Sequence, residues 1–462
     1  NVVGSSQKRI DALKTAVNAF IPKLEEFQKE GDSLGLTYFS SMVYQPSSTY
    51  FDKEFINITN NDEPVAANYA SYKVFNDLSA RNPMQMTAMG SGLIDAKNKL
   101  LKYNTPGSNT KKMVFLFTDG LQNHGSLVNT DGNSLNNGTD SLNNKSLTTR
   151  DSIKYFTIAT WEAGMAPEIL NTIATKSGGQ AIHVIGGTPT LNDWFNTNLY
   201  NLLNEGSPQI VFVKKSENLL ARTSFDFNIN ENIDKMLVEL FSANDDSIVL
   251  NLRKGKQVIR PNKIINGNGY RIFTYHFPKT SPKGKITSGG NWFIDLSGRS
   301  LKPYTITAFV DDHLLKYSCS LNKPIYTVGD TLQIKTKLSY AGKPLNESCK
   351  VKAIILKPGN DVGHMLATYP TPKWKSNLDI KSAANLKFQT LMENDSSFIK
   401  SLQSKEHIVE LENLGDGVFR GQFTNTELTG IYNIVFVINS ELKGIGKIER
   451  TTTLSTVFKF GN

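Results

Sequence analysis

Two oxygen-bearing side chains lie where the sequence predicts loops at the edge of a sheet. Asp119 follows the apolar run MVFLFT, and Thr87 precedes the Gly90-x-Gly92 segment that opens a helix. In an open α/β sheet, ligands bind beyond the carboxyl ends of the strands, because the loops converge there. Carboxylate and hydroxyl oxygens are hard ligands that suit Mg²⁺, Mn²⁺ or Ca²⁺. These two residues therefore predict a divalent-cation site.

Other interpretations of the same residues stay open. The Asp119 carboxylate could cap a turn by accepting backbone N–H groups, and the Thr87 hydroxyl could do so at the start of a helix. A further loop, NTDGNSLNNGTDSLNN, carries Asp131 and Asp140 but lacks the spacing of an EF-hand. Its composition favours a flexible surface insertion over a calcium loop.

The elements around these residues predict an α/β domain over residues 1–205. Apolar residues at helical spacing predict a first helix, and they are Ile10, Leu13, Val17, Phe20 and Leu24. Strand-like runs then alternate with helical segments: LGLTYF, a helix over 64–80, a helix after Gly90, MVFLFT, IKYFTIAT, a helix at APEILNTIAT, AIHVIG and a helix at LNDWFNTNLYNLLN. This alternation predicts parallel crossovers and a doubly wound, Rossmann-like sheet.

The rest of the chain predicts two all-β units. Short strands separated by Asn, Gly, Pro and Lys turns indicate a β-rich domain over residues 206–314. Residues 315–462 read as an Ig-like β-sandwich, in which Leu332, Ile334, Thr336, Leu338 and Tyr340 alternate onto one face. A helical insertion is expected near residues 382–402. The predicted fold class is multidomain, α/β followed by all-β.

Four segments in order resemble the von Willebrand factor A family. They are GDSLGLTYFSS, MTAMGSGL, the TDG that ends MVFLFTDG, and ILNTIATKSGGQAIHV. The resemblance implies a metal-ion-dependent adhesion site built from a DxSxS motif, a Thr in a second loop and an Asp in a third. Thr87 matches that Thr and Asp119 matches that Asp.

The DxSxS motif has two open alignments. In the first, the opening NVVGS places Asn1 at the Asp and Val3 at the first Ser, so that Ser5 alone keeps its type. In the second, NVVGSSQKR is an insertion ahead of the first helix, and the motif with its strand lies upstream. We favour the second, because a doubly wound sheet without its first strand is poorly covered. The sequence starts without Met or an apolar leader, so we expect a processed precursor or further residues upstream.

The β units resemble those of calcium-activated chloride channel regulators and of bacterial exported proteins with an A domain. The segments NWFIDLSG, NKPIYTVGDTLQIKTKLSYAGKPL and ENLGDGVFRGQFTNTELTGIYNIVFVI carry this resemblance. The sequence has no HExxH motif, GxSxG elbow, P-loop or dinucleotide fingerprint, and its six histidines are dispersed. We therefore expect no enzymatic activity from this chain.

Charge and cysteine content bear on the kind of partner that the protein binds and on the compartment in which it works. The net charge is +9, but the basic residues are scattered, which argues against nucleic acid as a partner. No apolar stretch reaches the roughly 18 residues that a membrane helix needs. Cys319 and Cys349 fit a disulfide, with two reduced buried thiols as the alternative. Glycosylation sequons fit an extracellular protein, and they lie at Asn57, Asn137, Asn144, Asn346 and Asn394.

The sequence thus favours a secreted or cell-surface binding protein. Its A domain would bind an acidic side chain of a protein partner through a divalent cation held by Thr87 and Asp119, with Ser5 as a third ligand. The main alternative is a non-catalytic scaffold portion of a larger metalloprotease or pilus-type surface assembly. A third hypothesis is an intracellular A domain that serves an ATPase, and reduced Cys319 and Cys349 in protein from its native source would favour it.

Overall fold

The chain forms two compact units. The computed structural model describes residues 9–27, 32–51, 53–58, 70–81, 87–102, 110–118, 122–142, 152–159, 168–183, 191–193, 195–196, 208–216, 218–242, 247–281, 284–323, 325–346, 349–358, 387, 390–391 and 406–460. Unit 1 comprises Asn1–Lys316, Tyr340–Lys343 and Asn439–Thr452, and unit 2 comprises Tyr317–Ser339, Pro344–Ile438 and Thr453–Asn462. The chain therefore leaves unit 1 after residue 316 and returns to it twice. The domain limits predicted at residues 205 and 314 remain predictions.

The N-terminal part of unit 1 combines helices with short strands. Its elements are α1 (Arg9–Phe27), β1 (Ser33–Leu34), β2 (Tyr38–Phe39), β3 (Val43–Tyr44), β4 (Ile56–Asn57), α2 (Ala70–Ser79), α3 (Met89–Lys102), β5 (Lys112–Thr118), β6 (Ile153–Ala159), α4 (Glu168–Ser177) and β7 (Ala181–His183). Strands β5, β6 and β7 pair in parallel in that order, with Lys112 opposite Ile153 and Thr157 opposite Ala181. The strands predicted from MVFLFT, IKYFTIAT and AIHVIG are present here.

The two faces of β5 enter different apolar clusters, because successive side chains of a strand alternate between faces. Val114 and Leu116 pack with residues of α3 and α4, among them Leu93 and Ile173. Phe115 and its strand neighbours on the other face pack toward α1, where the rings of Phe115 and Phe20 are 6.2 Å apart. This explains the unbroken apolar run, since both faces of the strand are covered.

The β-rich part of unit 1 forms two antiparallel sheets and a small hairpin. Its strands are β8 (Gln209–Ser216), β9 (Thr223–Ile229), β10 (Lys235–Ser242), β11 (Val249–Lys254), β12 (Gln257–Ile259), β13 (Lys263–Gly267), β14 (Tyr270–His276), β15 (Lys279–Ser281), β16 (Gly284–Ile286), β17 (Gly290–Ser297) and β18 (Tyr304–Val310). One sheet has the order β13-β14-β10-β18-β8, the second has the order β12-β11-β17-β9, and β15 pairs with β16. Trp292 and Leu252 of the second sheet share a core with Val238 of the first.

Strand β10 is buried on both faces. Met236, Val238 and Leu240 face the second sheet, whereas Leu237 and Phe241 belong to the cluster that contains α1. Glu239 has the same parity as Leu237 and Phe241 and is fully buried. A carboxylate therefore lies in the middle of an otherwise apolar strand, on the face toward α1.

Helix α1 is buried around most of its second half, including the charged residues Lys23, Glu25 and Glu26. Its contacts with the first antiparallel sheet are partly polar: Lys263 forms an ion pair with Glu26 at 2.9 Å, and the Tyr270 hydroxyl donates to the Asn18 carbonyl at 2.8 Å. The helix thus lies between the parallel and the antiparallel sheets of unit 1. The single apolar face predicted from its periodicity covers only part of this burial.

The prediction of a doubly wound α/β fold is wrong, because the protein is mainly β with several antiparallel sheets. Among the described residues, the parallel sheet contains three strands. The segment LGLTYF does not form one strand but contributes to β1 and β2, which pair antiparallel with β4 and β3. Local alternation of helices and strands could not reveal that α1 is covered by an antiparallel sheet.

Unit 2 is built mainly from antiparallel strands, and one short strand, Ile325–Thr327, pairs in parallel with the end of the last strand of the chain. The last strands of the chain are β19 (Leu315–Leu321), β20 (Ile325–Thr327), β21 (Leu332–Tyr340), β22 (Lys343–Pro344), β23 (Lys350–Leu356), β24 (Glu406–Glu410), β25 (Glu412–Asn413), β26 (Val418–Phe423), β27 (Gly430–Leu442) and β28 (Gly446–Lys459). One sheet has the order β19-β21-β26-β25, and β24, β23, β27 and β28 follow one another in the other. The predicted alternation on β21 is confirmed, since Leu332, Ile334 and Leu338 are buried.

The helical insertion predicted near residues 382–402 lies mostly outside the described residues. Residues 387, 390 and 391 are helical.

The predicted disulfide is not formed, since Cys319 and Cys349 are two separate thiols. Cys319 lies on β19, whereas Cys349 precedes β23 of the other sheet, so the two cysteines belong to different layers of unit 2. The Thr336 hydroxyl donates to the Cys319 sulfur at 3.6 Å, and burial raises the pKa of this thiol to about 12. The alternative of reduced thiols is the one that the structure contains.

Within the described parts of the chain, no helix combines the length and the apolar character needed to cross a membrane.

Candidate functional site

Three loop segments of unit 1 meet beyond the carboxyl end of β5. The Thr87 N–H donates to Asn123 Oδ1 at 2.9 Å, and the Asn123 N–H donates back to the Thr87 carbonyl at 3.1 Å. The Ala88 N–H donates to the Ser40 carbonyl at 2.7 Å. The segments that follow β2, precede α3 and follow β5 are therefore hydrogen-bonded together. We call Ser40, Thr87 and Asn123 the loop cluster.

Thr87 lies just outside helix α3. The Gly92 N–H donates to the Ala88 carbonyl at 3.1 Å, which makes Ala88 the N-cap residue. Thr87 therefore precedes the cap position, and its half-buried side chain belongs to the loop cluster. This geometry argues against the helix-capping interpretation of Thr87.

The start of α3 packs closely on the loop that follows β5. A Cβ on Gly90 would lie 2.1 Å from the Ser126 carbonyl oxygen, a distance at which the backbone has to move. The Ser126 N–H donates to Ser91 Oγ at 3.1 Å. Only glycine fits at residue 90, so this residue fixes the distance between the helix and the loop.

Ser40, whose backbone carbonyl accepts the hydrogen bond from Ala88, also carries a hydroxyl that was not predicted from the sequence. Its side chain is 7% exposed, and its Oγ has no hydrogen-bond partner among the described residues. A buried hydroxyl without a partner costs free energy unless another group binds it. The short signal SS after LGLTYF did not distinguish this residue from an ordinary turn.

The remaining predicted ligands lie outside the described residues. Asp119 and Ser5 are among them, as are Asn1 and Val3 of the alternative alignment. Thr118, the last residue of β5, is buried. In the described part of the chain, no group of three or more His, Cys, Asp or Glu side chains is arranged to hold a metal ion.

The loop over residues 122–142 is anchored by apolar residues. Val128, Leu135 and Leu142 are at most 2% exposed and pack in the cluster that covers β5. Asp131 accepts hydrogen bonds from the Ser134 hydroxyl and backbone at 2.6 and 2.9 Å, and these bonds together with one from the Asn133 backbone lower the pKa of its carboxyl. The described loop is thus a compact structure rather than the flexible insertion that its composition suggested.

Asp131 and Asp140 serve separate turns of this loop. Asp140 accepts a hydrogen bond from the Asn137 side chain at 2.8 Å, whereas the partners of Asp131 are Asn133 and Ser134. The hydrogen bonds of both carboxylates are therefore local. These contacts favour a structural role for the two residues over a calcium loop.

A second polar cluster lies in the core of unit 1 and was also missed. It contains Lys23 of α1, Glu239 of β10, and Asn192 and Asn196 of a helical stretch. All four residues are at most 2% exposed. A lysine among the apolar residues of AFIPKLEEF and a glutamate within KMLVELF were the available signals. Because Lys23 and Glu239 are far apart in the sequence, their contact could not be predicted from it.

Comparisons with known proteins show only distant structural similarity. No family model matches the chain, and no curated protein matches it. A DUF4785 family protein from Legionella pneumophila is 12% identical with a TM-score of 0.33, covering 54% of this chain and 62% of its own. A von Willebrand factor type A protein from Catenulispora acidiphila is 11% identical with a TM-score of 0.26, covering 72% of this chain and 58% of its own.

A further structure, the propeptide form of the Bacillus licheniformis lipase BlEst2, is 10% identical with a TM-score of 0.27 and covers 66% of this chain and 59% of its own. This chain thus spans between 58% and 62% of the length of these three proteins. The resemblance to the von Willebrand factor A family accordingly has a distant structural counterpart, and its scores are too low to carry an argument about function.

Proposed function

We propose that this chain is a non-catalytic binding protein, secreted or displayed at a cell surface, that recognises a protein partner through a divalent cation at the loop cluster. The observation that carries the proposal is the pair of hydrogen bonds between Thr87 and Asn123. These bonds hold Thr87 against the loop that begins with Asp119, four residues before Asn123 in the sequence. The metal-ion-dependent adhesion site implied by the resemblance to the von Willebrand factor A family is part of this proposal.

The oxygen ligands proposed for this site fit a hard cation. Thr87 supplies a hydroxyl, Asp119 a carboxylate, and the buried Ser40 hydroxyl an oxygen that needs a partner. Mg²⁺, Mn²⁺ and Ca²⁺ prefer such oxygen ligands, and none of them requires the nitrogen or sulfur ligands of a zinc site. When bound, the ion would supply positive charge and an open coordination position for a carboxylate of the partner.

The chain's own residues would set the selectivity of such a site. The close contact between Gly90 and Ser126 limits how far the start of α3 can move from the loop after β5. Interiors and close backbone contacts deform little, so the distance between Thr87 and Asn123 would be nearly fixed. A rigid site favours the smaller ion, Mg²⁺, because its near-octahedral shell tolerates little variation in distance.

Calorimetric titration of the chain with MgCl₂, MnCl₂ and CaCl₂ tests the proposal. Wild-type protein should bind at least one ion saturably, and Asp119→Asn should weaken the binding at least about tenfold because a charged ligand is lost. Thr87→Val should also weaken it while preserving shape. Asp140→Asn, which changes a carboxylate in the same loop, is the matched control and should leave binding unchanged. Circular dichroism would verify that each variant is folded.

The proposal fails if folded wild-type protein binds none of the three ions, or if Asp119→Asn binds as well as wild type. Either result would favour the alternative, a non-catalytic scaffold within a larger metalloprotease or pilus-type assembly. The burial of α1 between two sheets supports that alternative, since it makes unit 1 a single packed body. A scaffold needs this rigidity but has no need of a cation.

A further inference from the structure

Three side chains in the core of unit 1 form a closed triangle of polar contacts. Lys23 Nζ lies 2.5 Å from Asn196 Oδ1 and 2.5 Å from Glu239 Oε1. Glu239 Oε2 in turn accepts a hydrogen bond from Asn196 Nδ2 at 2.5 Å. Each residue thus contacts the other two, and one carboxylate touches both the amine and the amide nitrogen. The contacts are shorter than ordinary N–H···O bonds.

We propose that Lys23 and Asn196 are joined by an intramolecular amide bond that forms in the folded protein, with Glu239 as the group that carries the protons. The bond would link the Lys23 side-chain nitrogen to the Asn196 side-chain carbonyl carbon and release ammonia. This inference rests on the core of unit 1 alone and is independent of the cation site.

The reaction balances without any further reagent. Glu239 takes a proton from the Lys23 ammonium, which leaves a neutral amine and a carboxylic acid. The amine lone pair attacks Cγ of Asn196, an N–C bond forms, and the carbonyl electrons move to Oδ1. Glu239 then protonates Nδ2 and takes a proton from the attacking nitrogen. The C–Nδ2 bond breaks, its electron pair leaves with ammonia, and the carbonyl re-forms.

The surroundings of Lys23 favour a nucleophilic amine. Removal from water lowers the pKa of the Lys23 ammonium, and the nearby Glu239 carboxylate acts in the opposite direction. Desolvation in an apolar pocket is a known way to activate a lysine amine. The Phe309 ring centroid is 6.0 Å from Nζ, and the rings of Phe20 and Phe195 stack at 4.4 Å nearby in the same core. Water that could hydrolyse an intermediate is therefore kept out.

Asn192 is the other amide in the cluster, and its contacts assign it a positioning role. Its Oδ1 accepts from Lys23 at 3.2 Å and its Nδ2 donates to Glu239 at 3.0 Å. Both contacts are longer than the matching contacts of Asn196, which are 2.5 Å each, by 0.7 and 0.5 Å. Asn196 is accordingly the residue whose side-chain carbonyl carbon the Lys23 amine attacks. Asn192 holds the carboxylate and the amine in place.

Unit 2 supplies an internal comparison with the same residue types. Lys357 donates to Asn425 at 2.7 Å and contacts Glu427, but the Glu427 side chain is 58% exposed. Water solvates the exposed Glu427 carboxylate, which favours its charged form and disfavours transfer of the lysine proton to it. Hydrogen bonding alone is expected at this site.

Intact-mass measurement of the purified, denatured chain tests the proposal. The mass should be about 17 Da below the mass calculated from the sequence, which is the loss of one ammonia. Trypsin should then release residues 15–29, uncut after Lys23, as a branched peptide joined to residues 177–214. Fragment spectra should place the link between Lys23 and Asn196. Peptide mapping is needed because a succinimide at an Asn-Gly pair gives the same mass loss.

The full sequence mass, or tryptic cleavage after Lys23, would overturn the proposal whatever the variants do. In folded protein, Lys23→Met and Glu239→Gln should each restore the calculated mass of the variant. Lys357→Met is the matched control and should keep the deficit. A link mapped to Asn192 would overturn the assignment of the acceptor, and a deficit that persists in folded Glu239→Gln would overturn the role of Glu239.

Discussion

Replacing Arg450 with Met should lower the free energy of unfolding of unit 1 by about 3 kcal/mol. Arg450 and Asp312 form an ion pair at 2.6 Å, with side chains that are 0% and 1% exposed. The guanidinium also donates to Asn230 Oδ1 at 2.8 Å and to the Gln209 side chain. Methionine fills a similar volume but leaves the Asp312 charge in the core without its cation.

The magnitude follows from what Asp312 retains. Breaking one partner of a buried ion pair typically costs about 3–5 kcal/mol. In the variant, Asp312 would still accept from the backbones of Leu314 and Leu315 at 3.1 and 3.2 Å and from Asn230 at 3.1 Å. These three donors stabilise the carboxylate, so we expect the lower end of the range. Adding Asp312→Asn should recover part of the loss, because the unpaired charge is removed.

Native-state hydrogen exchange read by mass spectrometry provides the assay. The slowest amides of β18, a strand that is buried along its whole length, should report the opening of unit 1. A loss of about 3 kcal/mol should accelerate them about 150-fold. The matched control is Arg253→Met, which breaks an Arg–Asp pair whose side chains are 27% and 33% exposed. The reasoning fails if Arg450→Met accelerates exchange less than about fivefold, or no more than the control does.

Three further predictions concern single residues. Gly90→Ala should reduce cation affinity and stability together, because its Cβ would meet the Ser126 carbonyl at 2.1 Å; calorimetry and thermal melts measure both, and unchanged values would contradict the close contact. Native Cys319 should react with a thiol reagent at least about tenfold more slowly at pH 8 than a thiol of ordinary pKa, because burial raises its pKa to about 12 and leaves little thiolate; rapid labelling before urea is added would refute this. Hydrogen bonds from Arg253 and Ser224 lower the pKa of the Asp295 carboxyl, so its contribution to stability is full above the unfolded pKa, near 4, and is lost as pH falls through the folded pKa. The stability difference between wild type and Asp295→Asn, measured by urea titration, should therefore shrink toward low pH, and a constant difference would contradict it.

Local elements of the fold were readable from the sequence, but their partners were not. The apolar run of β5 and the alternation on β21 each reflect burial of particular faces, and periodicity reports this directly. The same signal could not tell that the second face of β5 meets a helix that is itself covered by an antiparallel sheet. Strand pairings of high sequence separation, such as β18 with β8, leave no local trace. The doubly wound prediction failed for this reason.

Part of the candidate site was likewise predicted from the sequence and part was not. Thr87 and the loop after β5 were expected to approach each other because loops converge beyond the carboxyl ends of the strands in an open α/β sheet, and Asn123 joins them in the structure. The buried hydroxyl of Ser40 could not be foreseen, since burial of a turn residue depends on what packs over it. Lys23 and Glu239 were harder still, because 216 residues separate them and each reads locally as one charge in an apolar segment.

The proposed cross-link concerns the stability of the core of unit 1, whereas the proposed cation site concerns binding at its loops. The two proposals can therefore be tested separately. A cross-link between Lys23 and Asn196 closes a loop of 173 residues, and the chain-entropy model for disulfides gives about 5 kcal/mol for a loop of this length. The cysteines provide no such constraint, as they are separate thiols. A binding protein that must transmit force or resist proteolysis gains from such a bond, whereas a cation site needs only local rigidity at Gly90. Glu239→Gln should therefore lower the free energy of unfolding and leave cation affinity unchanged. Asp119→Asn should weaken cation binding and leave the free energy of unfolding unchanged. If one variant altered both properties, the core of unit 1 and the loop cluster would have to be treated as one coupled structure.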